Sequence, residues 1–229
     1  MNIKIKPRNP VESTRVYVYN ILYDNIINLH LKPGYSISEK EIADVLNVSR
    51  TPVREAFIQL SQEDLIETYP QKGTYISLID LELVEQSRFM REVLENSVVQ
   101  LAAKEFSREL LFDLQSNLNM QNFCIQEENY QEMMKYDDEF HKMLFIGTKK
   151  ERVWESIQRI SSQFKRLRTL RFSATPISIW KTIYQEHCMI FKSIQEKNID
   201  TVQQAMKDHL TKIVQYKVEL QKKYPEYFK

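Results

Sequence analysis

The chain has 229 residues, 42% hydrophobic and 28% charged, a composition that supports buried cores and excludes general disorder; its length suits two domains. With 32 Lys and Arg against 31 Asp and Glu the formal net charge is +1, so nucleic-acid binding would need locally placed cations, not a basic chain as a whole. Cys124 and Cys188 are too few for a disulfide framework, Gly34, Gly73 and Gly147 make no Gly-rich nucleotide loop, and no apolar run nears the roughly 20 residues of a membrane span.

The opening MNIKIKPRNP lacks an apolar signal core, which makes a cytoplasmic protein the expectation. Residues 1–12 read as a loose arm, because Pro7 and Pro10 interrupt any regular element. Val16, Tyr19, Tyr23, Ile26 and Ile27 recur at helical spacing after a capping Ser13, and Pro33-Gly34 closes that helix. Ser38 and Glu41 form an S-x-x-E capping box before Ile42, Ala43, Val45 and Leu46, a short second helix. Asn47-Val48 is a tight break, and Ser49 is placed to cap a third helix with Pro52 in its first turn.

Val53, Phe57 and Leu60 give that third helix an apolar back, leaving Arg50, Thr51 and Arg54 on the opposite sector. Taken alone, the window is better read as an ordinary amphipathic helix with arginines on its solvated face. Its neighbours decide: two short helices joined by a tight turn make a helix-turn-helix. Residues 65–69 and 74–78 then read as strands around the turn Pro70-Gln71-Lys72-Gly73, a β-hairpin wing. Residues 1–79 carry nine Lys or Arg and nine Asp or Glu, so cations count by location, and Lys40, Arg50, Arg54 and Lys72 mark the contact surface.

Here the sequence resembles the GntR family of bacterial transcription regulators. Leu31, Pro33, Gly34, Ile37, Glu39, Ile42, Ala43, Leu46, Val48 and the run Ser49-Arg50-Thr51-Pro52-Val53-Arg54-Glu55-Ala56 stand in that family's register, with Pro70 and Gly73 as the wing's P-x-x-G. The resemblance implies that Ser49, Arg50, Thr51 and Arg54 touch an operator in double-stranded DNA. Lys40 would assist from the preceding helix, and Lys72 and Gly73 would bring the wing tip to the minor groove. It also implies a homodimer reading two half-sites of a palindromic operator.

From residue 80 the text is helical throughout, and residues 80–229 read as an all-α domain of six helices near 80–105, 107–127, 129–147, 150–172, 176–197 and 199–223. The expected fold class is mainly α: an N-terminal winged helix-turn-helix over 1–79, followed by an all-α helical bundle over 80–229. Asp137 and His141, four apart, share one helix face. His187 and His209 lie about eleven residues either side of a turn at 198–200, at similar heights on antiparallel helices at a rise of about 1.5 Å per residue. Three imidazoles and one carboxylate then suit a divalent transition metal ion, Zn, Ni, Mn or Fe. Each histidine by itself is an ordinary core or surface residue, and Asp137 an ordinary solvated carboxylate.

This region resembles the FCD effector-binding domain of FadR-type regulators, with Arg91-Glu92-Val93-Leu94-Glu95, Asp137-Asp138-Glu139-Phe140-His141, Glu186-His187 and Met206-Lys207-Asp208-His209-Leu210 in its motif positions. The resemblance covers about 13–220 and places the chain with the metal-binding subgroup. It implies that the ion and nearby polar groups hold a small carboxylate metabolite that changes operator affinity, relief of repression being the expected sign. Arg91 is the candidate to meet the effector's charge, or else the structural partner of Glu95 one turn away. The family's Gly-Asn after the D-x-x-F-H helix is replaced by Lys149-Lys150. Two rival readings stand beside this one: a regulator with a metal-free acyl or apolar pocket, and a metal-dependent enzyme acting on a small organic acid.

Overall fold

The computed structural model describes residues 3–212 and 215–229. They form α1 (Thr14–Ile27), β1 (Ser36–Ile37), α2 (Glu39–Leu46), α3 (Arg50–Gln62), β2 (Ile66–Tyr69), β3 (Gly73–Ile76), α4 (Leu81–Lys104), α5 (Arg108–Gln126), α6 (Tyr130–Gly147), α7 (Glu151–Ile160), α8 (Ser162–Ala174), α9 (Ile177–Gln195), α10 (Ile199–Lys212) and α11 (Lys217–Lys223). The architecture is a winged helix-turn-helix followed by a helical domain. It divides into two compact units, Met1–Val84 with Arg159–Thr169 and Glu219–Lys229, and Glu85–Gln158 with Leu170–Val218.

In the first unit, Val18, Leu22 and Ile26 of α1 meet Ile42 and Leu46 of α2, Val53, Phe57 and Leu60 of α3, and Ile66 and Ile76 of the sheet. Each such side chain contributes about 1.5–3 kcal/mol by leaving water. Ser13 accepts a hydrogen bond from the backbone of Val16 at 3.3 Å and Ser38 one from Glu41 at 3.1 Å, both three residues on. Asn47 ends α2 in the left-handed region at φ 51°, which makes the turn into α3 tight. Ser49 has N-cap backbone geometry but makes no side-chain cap, contrary to expectation. The physical reason is local: the residue three positions on is Pro52, which has no N–H to give.

The wing is a three-stranded antiparallel sheet in the order β1-β3-β2. Tyr69 lies opposite Gly73, and Gly73 takes φ 110°, a backbone state open to glycine and strained for other residues. The two-residue β1 was not anticipated, since so short a strand carries no periodicity. The arm expected to be loose is, over residues 3–12, tied to α1. Asn25 accepts from the Lys4 backbone at 2.7 Å and donates back to its carbonyl at 2.9 Å, the Tyr17 hydroxyl donates to the Lys6 carbonyl, and Lys6 pairs with Asp24 at 2.5 Å. Met1 and Asn2 lie outside the described residues.

Later segments complete this unit. Ser162 donates to the Glu63 carbonyl at 2.7 Å, the Gln163 amide donates to that of Asp64, and Arg166 donates to the Ser77 carbonyl at 2.5 Å and its hydroxyl at 3.0 Å. Arg166 is fully buried, and burial pushes its guanidinium down to about 9, so it stays charged at neutral pH. These bonds coincide with a break at Ser161 that divides the expected helix 150–172 into α7 and α8. The expected helix 199–223 is also divided: α10 is described to Lys212, residues 215 and 216 form a turn and α11 opens at Lys217, with residues 213 and 214 outside the described set.

In the second unit α5 packs on α6 and α9, and α9 on α10. Cys124, Ile125, Met133, Met134, Phe172, Trp180 and Ile183 form one apolar cluster. Ser107 caps α5 through Leu110, and Asn198 caps α10 by accepting from Thr201 at 3.1 Å. Gly147 closes α6 where a Cβ would stand 2.2 Å from the Phe106 ring, so a side chain there would have to displace that ring. Lys149 then adopts φ 59°. The turn after α6 therefore keeps a left-handed residue without a glycine to supply it. Among the described residues, no helix is long and apolar enough to cross a membrane.

Candidate functional site

The second unit brings four sequence-predicted residues into one buried cluster: Asp137 and His141 from α6, His187 from α9 and His209 from α10. The three Nε2 atoms face one another, at 3.4 Å between His187 and His209 and 3.2 Å between His209 and His141. One ligand atom from each of the three histidines falls within 4.8 Å of the others. The Asp137 carboxylate reaches to 4.0 Å from His141 Nε2 and 3.8 Å from His187 Nε2. Phe140 stacks on the His187 ring, with centroids 4.3 Å apart and planes 16° from parallel.

What orients the rings lies on their other nitrogens. Gln121 Oε1 stands 2.8 Å from His187 Nδ1, and the same Gln121 donates its amide to Asn117 Oδ1 at 2.7 Å, so its oxygen faces the histidine. Asn117 in turn donates to the Tyr136 carbonyl at 3.0 Å. Glu186 Oε2 stands 2.8 Å from His209 Nδ1, while Lys212 donates to Glu186 Oε1 at 2.7 Å. Glu95 Oε2 stands 2.5 Å from His141 Nδ1, and Arg91 Nε donates to Glu95 Oε1 at 2.5 Å. Gln121 and Glu186 thus stand at hydrogen-bond distance from Nδ1 of His187 and His209, and the Glu95 carboxylate lies against Nδ1 of His141; the tautomer with its proton on Nδ1 leaves Nε2 with a lone pair.

The charges agree. Burial alone would raise the Glu95 carboxyl, but Arg91 and then His141 outweigh it and hold it well below the usual carboxylate range. Burial likewise opposes Glu186, and its bond to His209 and the Lys212 ammonium bring it below its ordinary value. Burial pushes His209 down, favouring the neutral ring that a metal ligand must be. Three lone pairs held together in a dry interior repel one another unless a cation lies between them. The donor set therefore fits a divalent transition ion, with Glu95, Gln121 and Glu186 in the supporting role such sites require.

Sequence reasoning missed Gln121, Glu95 and Glu186 as orienting groups. Glu95 stood in a quoted motif only as the partner of Arg91 and Glu186 without a role, whereas nothing in the text marked Gln121, which sits on a different helix from any ligand. Arg91 is buried against Glu95, the pairing that their one-turn spacing allows.

The first unit presents its predicted residues as an open surface. Lys40, Ser49, Arg50, Thr51, Arg54, Lys72 and Gly73 are all exposed. Arg54 spans from α3 to Glu39 of α2 at 3.3 Å, a solvent-facing pair that adds little to stability. Arg50 makes no ion pair among the described residues, and the Ser49 hydroxyl is not used as a cap. Lys72 and Gly73 lie at the wing tip beside Gln71, whose φ is 62°.

With this geometry established, comparison with known proteins identifies both units. The description "Bacterial regulatory proteins, gntR family" matches residues 14–76, and "FCD domain" matches 86–212. The chain is 32% identical over 205 residues to the HTH-type transcriptional repressor RspR of Escherichia coli K12, covering 90% of this chain and 89% of the relative. It is 27% identical to the Nta operon transcriptional regulator of Aminobacter aminovorans, covering 81% and 86%. Two solved structures share the fold: E. coli McbR/YncC, with TM-score 0.77, 17% identity and coverage of 93% and 100%, and a GntR regulator from Rhodococcus sp. RHA1, with TM-score 0.75, 21% identity and the same coverage. These relatives are transcriptional regulators, not enzymes. The chain belongs to the GntR family of bacterial transcription regulators, in the FadR-type branch that carries an FCD domain.

Proposed function

We propose that this chain is a ligand-responsive transcription regulator whose helical domain, residues 80–229, binds a divalent metal ion and a small carboxylate effector, and whose winged helix, residues 1–79, reads an operator. The observation that carries the reading is the set of three buried Nε2 atoms brought together while an acceptor oxygen stands within 2.8 Å of every Nδ1. His141, His187 and His209, with Asp137, would hold the ion. When bound, it supplies a positive centre with coordination positions open to an anionic ligand.

The chain's own residues do the rest. Glu95, Gln121 and Glu186 orient the imidazoles, Phe140 shields one face from water, and Arg91 adds a buried cation one residue removed from His141, the position from which it would act on an effector's charge. At the output end, Arg50, Thr51 and Arg54 would meet bases and phosphates in the major groove, with Ser49, Lys40, Lys72 and Gly73 on the backbone and the wing's groove. The effector changes operator affinity only as far as it favours one conformation of the regulator over the other. Relief of repression is the sign we propose. The named repressor relative supports it.

We also propose a homodimer on a palindromic operator. In support, Phe89 and Val93 of α4 and Phe112 and Phe123 of α5 stand at least half exposed, apolar area that pairing with a second copy would cover. The test begins with elemental analysis of protein purified without added metal. It continues with a thermal-shift screen of small carboxylic acids on metal-loaded protein, and with operator binding at fixed salt with and without each hit. Stoichiometric metal and a ligand that alters operator affinity are expected. Failure to take up metal even when it is offered would remove the metal site, and a stabilising ligand without effect on DNA binding would remove the effector role.

A further inference from the structure

A cleft of about 480 Å³ opens beside the start of α3, and part of its wall comes from residues that no motif marks. Ser49 and Thr51 line it from the recognition helix, while Arg8 of the N-terminal arm and Thr14 and Arg15 of α1 line it from the other side. Glu55, one turn along α3, is also in the lining, so the named side chains carry two positive charges against one negative.

We propose that Arg8 and Arg15 form a clamp for a DNA backbone phosphate, so that the N-terminal arm is part of the duplex-binding surface. The proposal rests on the family's DNA-binding role and assigns contacts beyond α3 and the wing. Three features of the fold carry it. First, the arm is not free to drift: the Lys4 and Asn25 bonds, the Tyr17 hydroxyl on Lys6 and the Lys6–Asp24 pair hold it along α1.

Second, the two guanidinium charges are not neutralised. The Arg8 fork rests on the Glu12 carbonyl, at 3.1 Å from Nε and 2.7 Å from Nη2, and the Glu12 carboxylate accepts from Asn20 at 2.6 Å. Arg15 is exposed and makes no ion pair among the described residues. Third, Ser49 lines this cleft, and Pro52 leaves its hydroxyl without a cap partner. Residues at the start of a recognition helix approach base edges, and the strand that borders the groove then passes the side walls of that helix start. An arginine pair there meets phosphate oxygens and fixes the register of the helix without reading sequence.

The test is a salt titration of full-length protein on a mixed-sequence DNA duplex, comparing the parent with Arg15→Gln, Arg8→Gln, Arg8→Lys and Arg50→Gln, each first checked for unchanged thermal melting. Each lost phosphate contact lowers the slope of log affinity against log salt by about 0.9. That loss is expected for Arg15→Gln and Arg8→Gln, with Arg8→Lys restoring the slope because it keeps the charge. An unchanged slope in Arg15→Gln, alongside a reduced one in Arg50→Gln, would overturn the clamp while leaving the recognition helix in place. If Arg8→Lys behaves like Arg8→Gln, the fork on Glu12 is structural and the clamp fails at Arg8. Inorganic phosphate at matched ionic strength separates a free-anion site from a duplex contact. Displacement of duplex by phosphate beyond that by chloride, with variant slopes unchanged, would also overturn the proposal.

Discussion

The two candidate surfaces handle polar groups in opposite ways. At the DNA face the cations are exposed, Arg50 and Arg15 stand without ion pairs among the described residues, and the Ser49 hydroxyl caps nothing. At the histidine cluster, by contrast, every ring is buried to 1% exposure or less, and each Nδ1 meets Gln121, Glu186 or Glu95. Water solvates the first set until a polyanion replaces it, so little prior organisation is needed. In the second, desolvation makes any unpaired polar atom costly, and the orienting shell must be complete before a ligand arrives. The difference separates an open, solvated cationic surface from a closed and pre-oriented polar centre.

Four substitutions test that contrast, beginning with the largest effect. His187→Ala should abolish stoichiometric metal, and with it the stabilisation that bound metal brings, about 4 kcal/mol at a concentration a thousandfold above Kd. Elemental analysis and melting of the metal-loaded proteins measure both. A variant that keeps its metal would break the comparison at its strongest point. Gln121→Met keeps all the ligands but removes the acceptor for His187 Nδ1. Metal affinity should fall by up to about 100-fold, read by competition with a chelator of known affinity.

Arg50→Ala should weaken operator binding by about 1–3 kcal/mol yet shift folding stability by no more than about 0.5 kcal/mol, as suits an exposed side chain. Equal losses in binding and stability would mean that the residue belongs to the fold and not to the surface. The smallest effect belongs to Lys149. Lys149→Gly should raise stability by about 0.5 kcal/mol in chemical denaturation, because φ 59° suits glycine, although part of the gain is offset by a more flexible unfolded chain.

A boundary residue gives a pH-dependent check that leaves both surfaces untouched. Asp80 accepts from the backbone of Glu82 at 2.9 Å and Leu83 at 3.3 Å and pairs with Lys229 at 3.3 Å. Burial works against its charge, but those donors prevail and its pKa lies below the ordinary 3.8. The unfolded chain therefore takes up the proton first. The contribution of Asp80 is complete above about pH 5 and is lost as pH falls through the folded-state value. Asp80→Ala should remove about 1 kcal/mol at neutral pH. A variant with the parent's stability at neutral pH would show that the cap contributes nothing.

Much of this molecule was legible before folding, for identifiable reasons. Helical spacing of Val53, Phe57 and Leu60, the Ser13 and Ser38 caps and the Gly73 turn are short-range features whose physics is complete within a few residues. The same holds for the positions of the histidines, since helix rise converts sequence distance into height. Where reading failed, a distant partner or an untested detail of chemistry intervened. Ser49 lost its cap to Pro52, a fact present in the sequence but overridden by the usual preference for serine at that position.

By itself the sequence determined the class of fold, the recognition helix and the four candidate ligands, because periodicity, capping and family motifs are written in adjacent residues. Only the tertiary structure decided that Gln121, Glu95 and Glu186 stand against the three Nδ1 atoms and that Nε2 atoms 22 and 68 residues apart meet within 3.4 Å. It also divided the helix expected over 150–172, burying Arg166 against Ser77, and brought Arg8 and Arg15 to the side of α3. Each of these depends on which helices pack together, and the direction a hydrogen bond takes across that packing has no local signature in the chain.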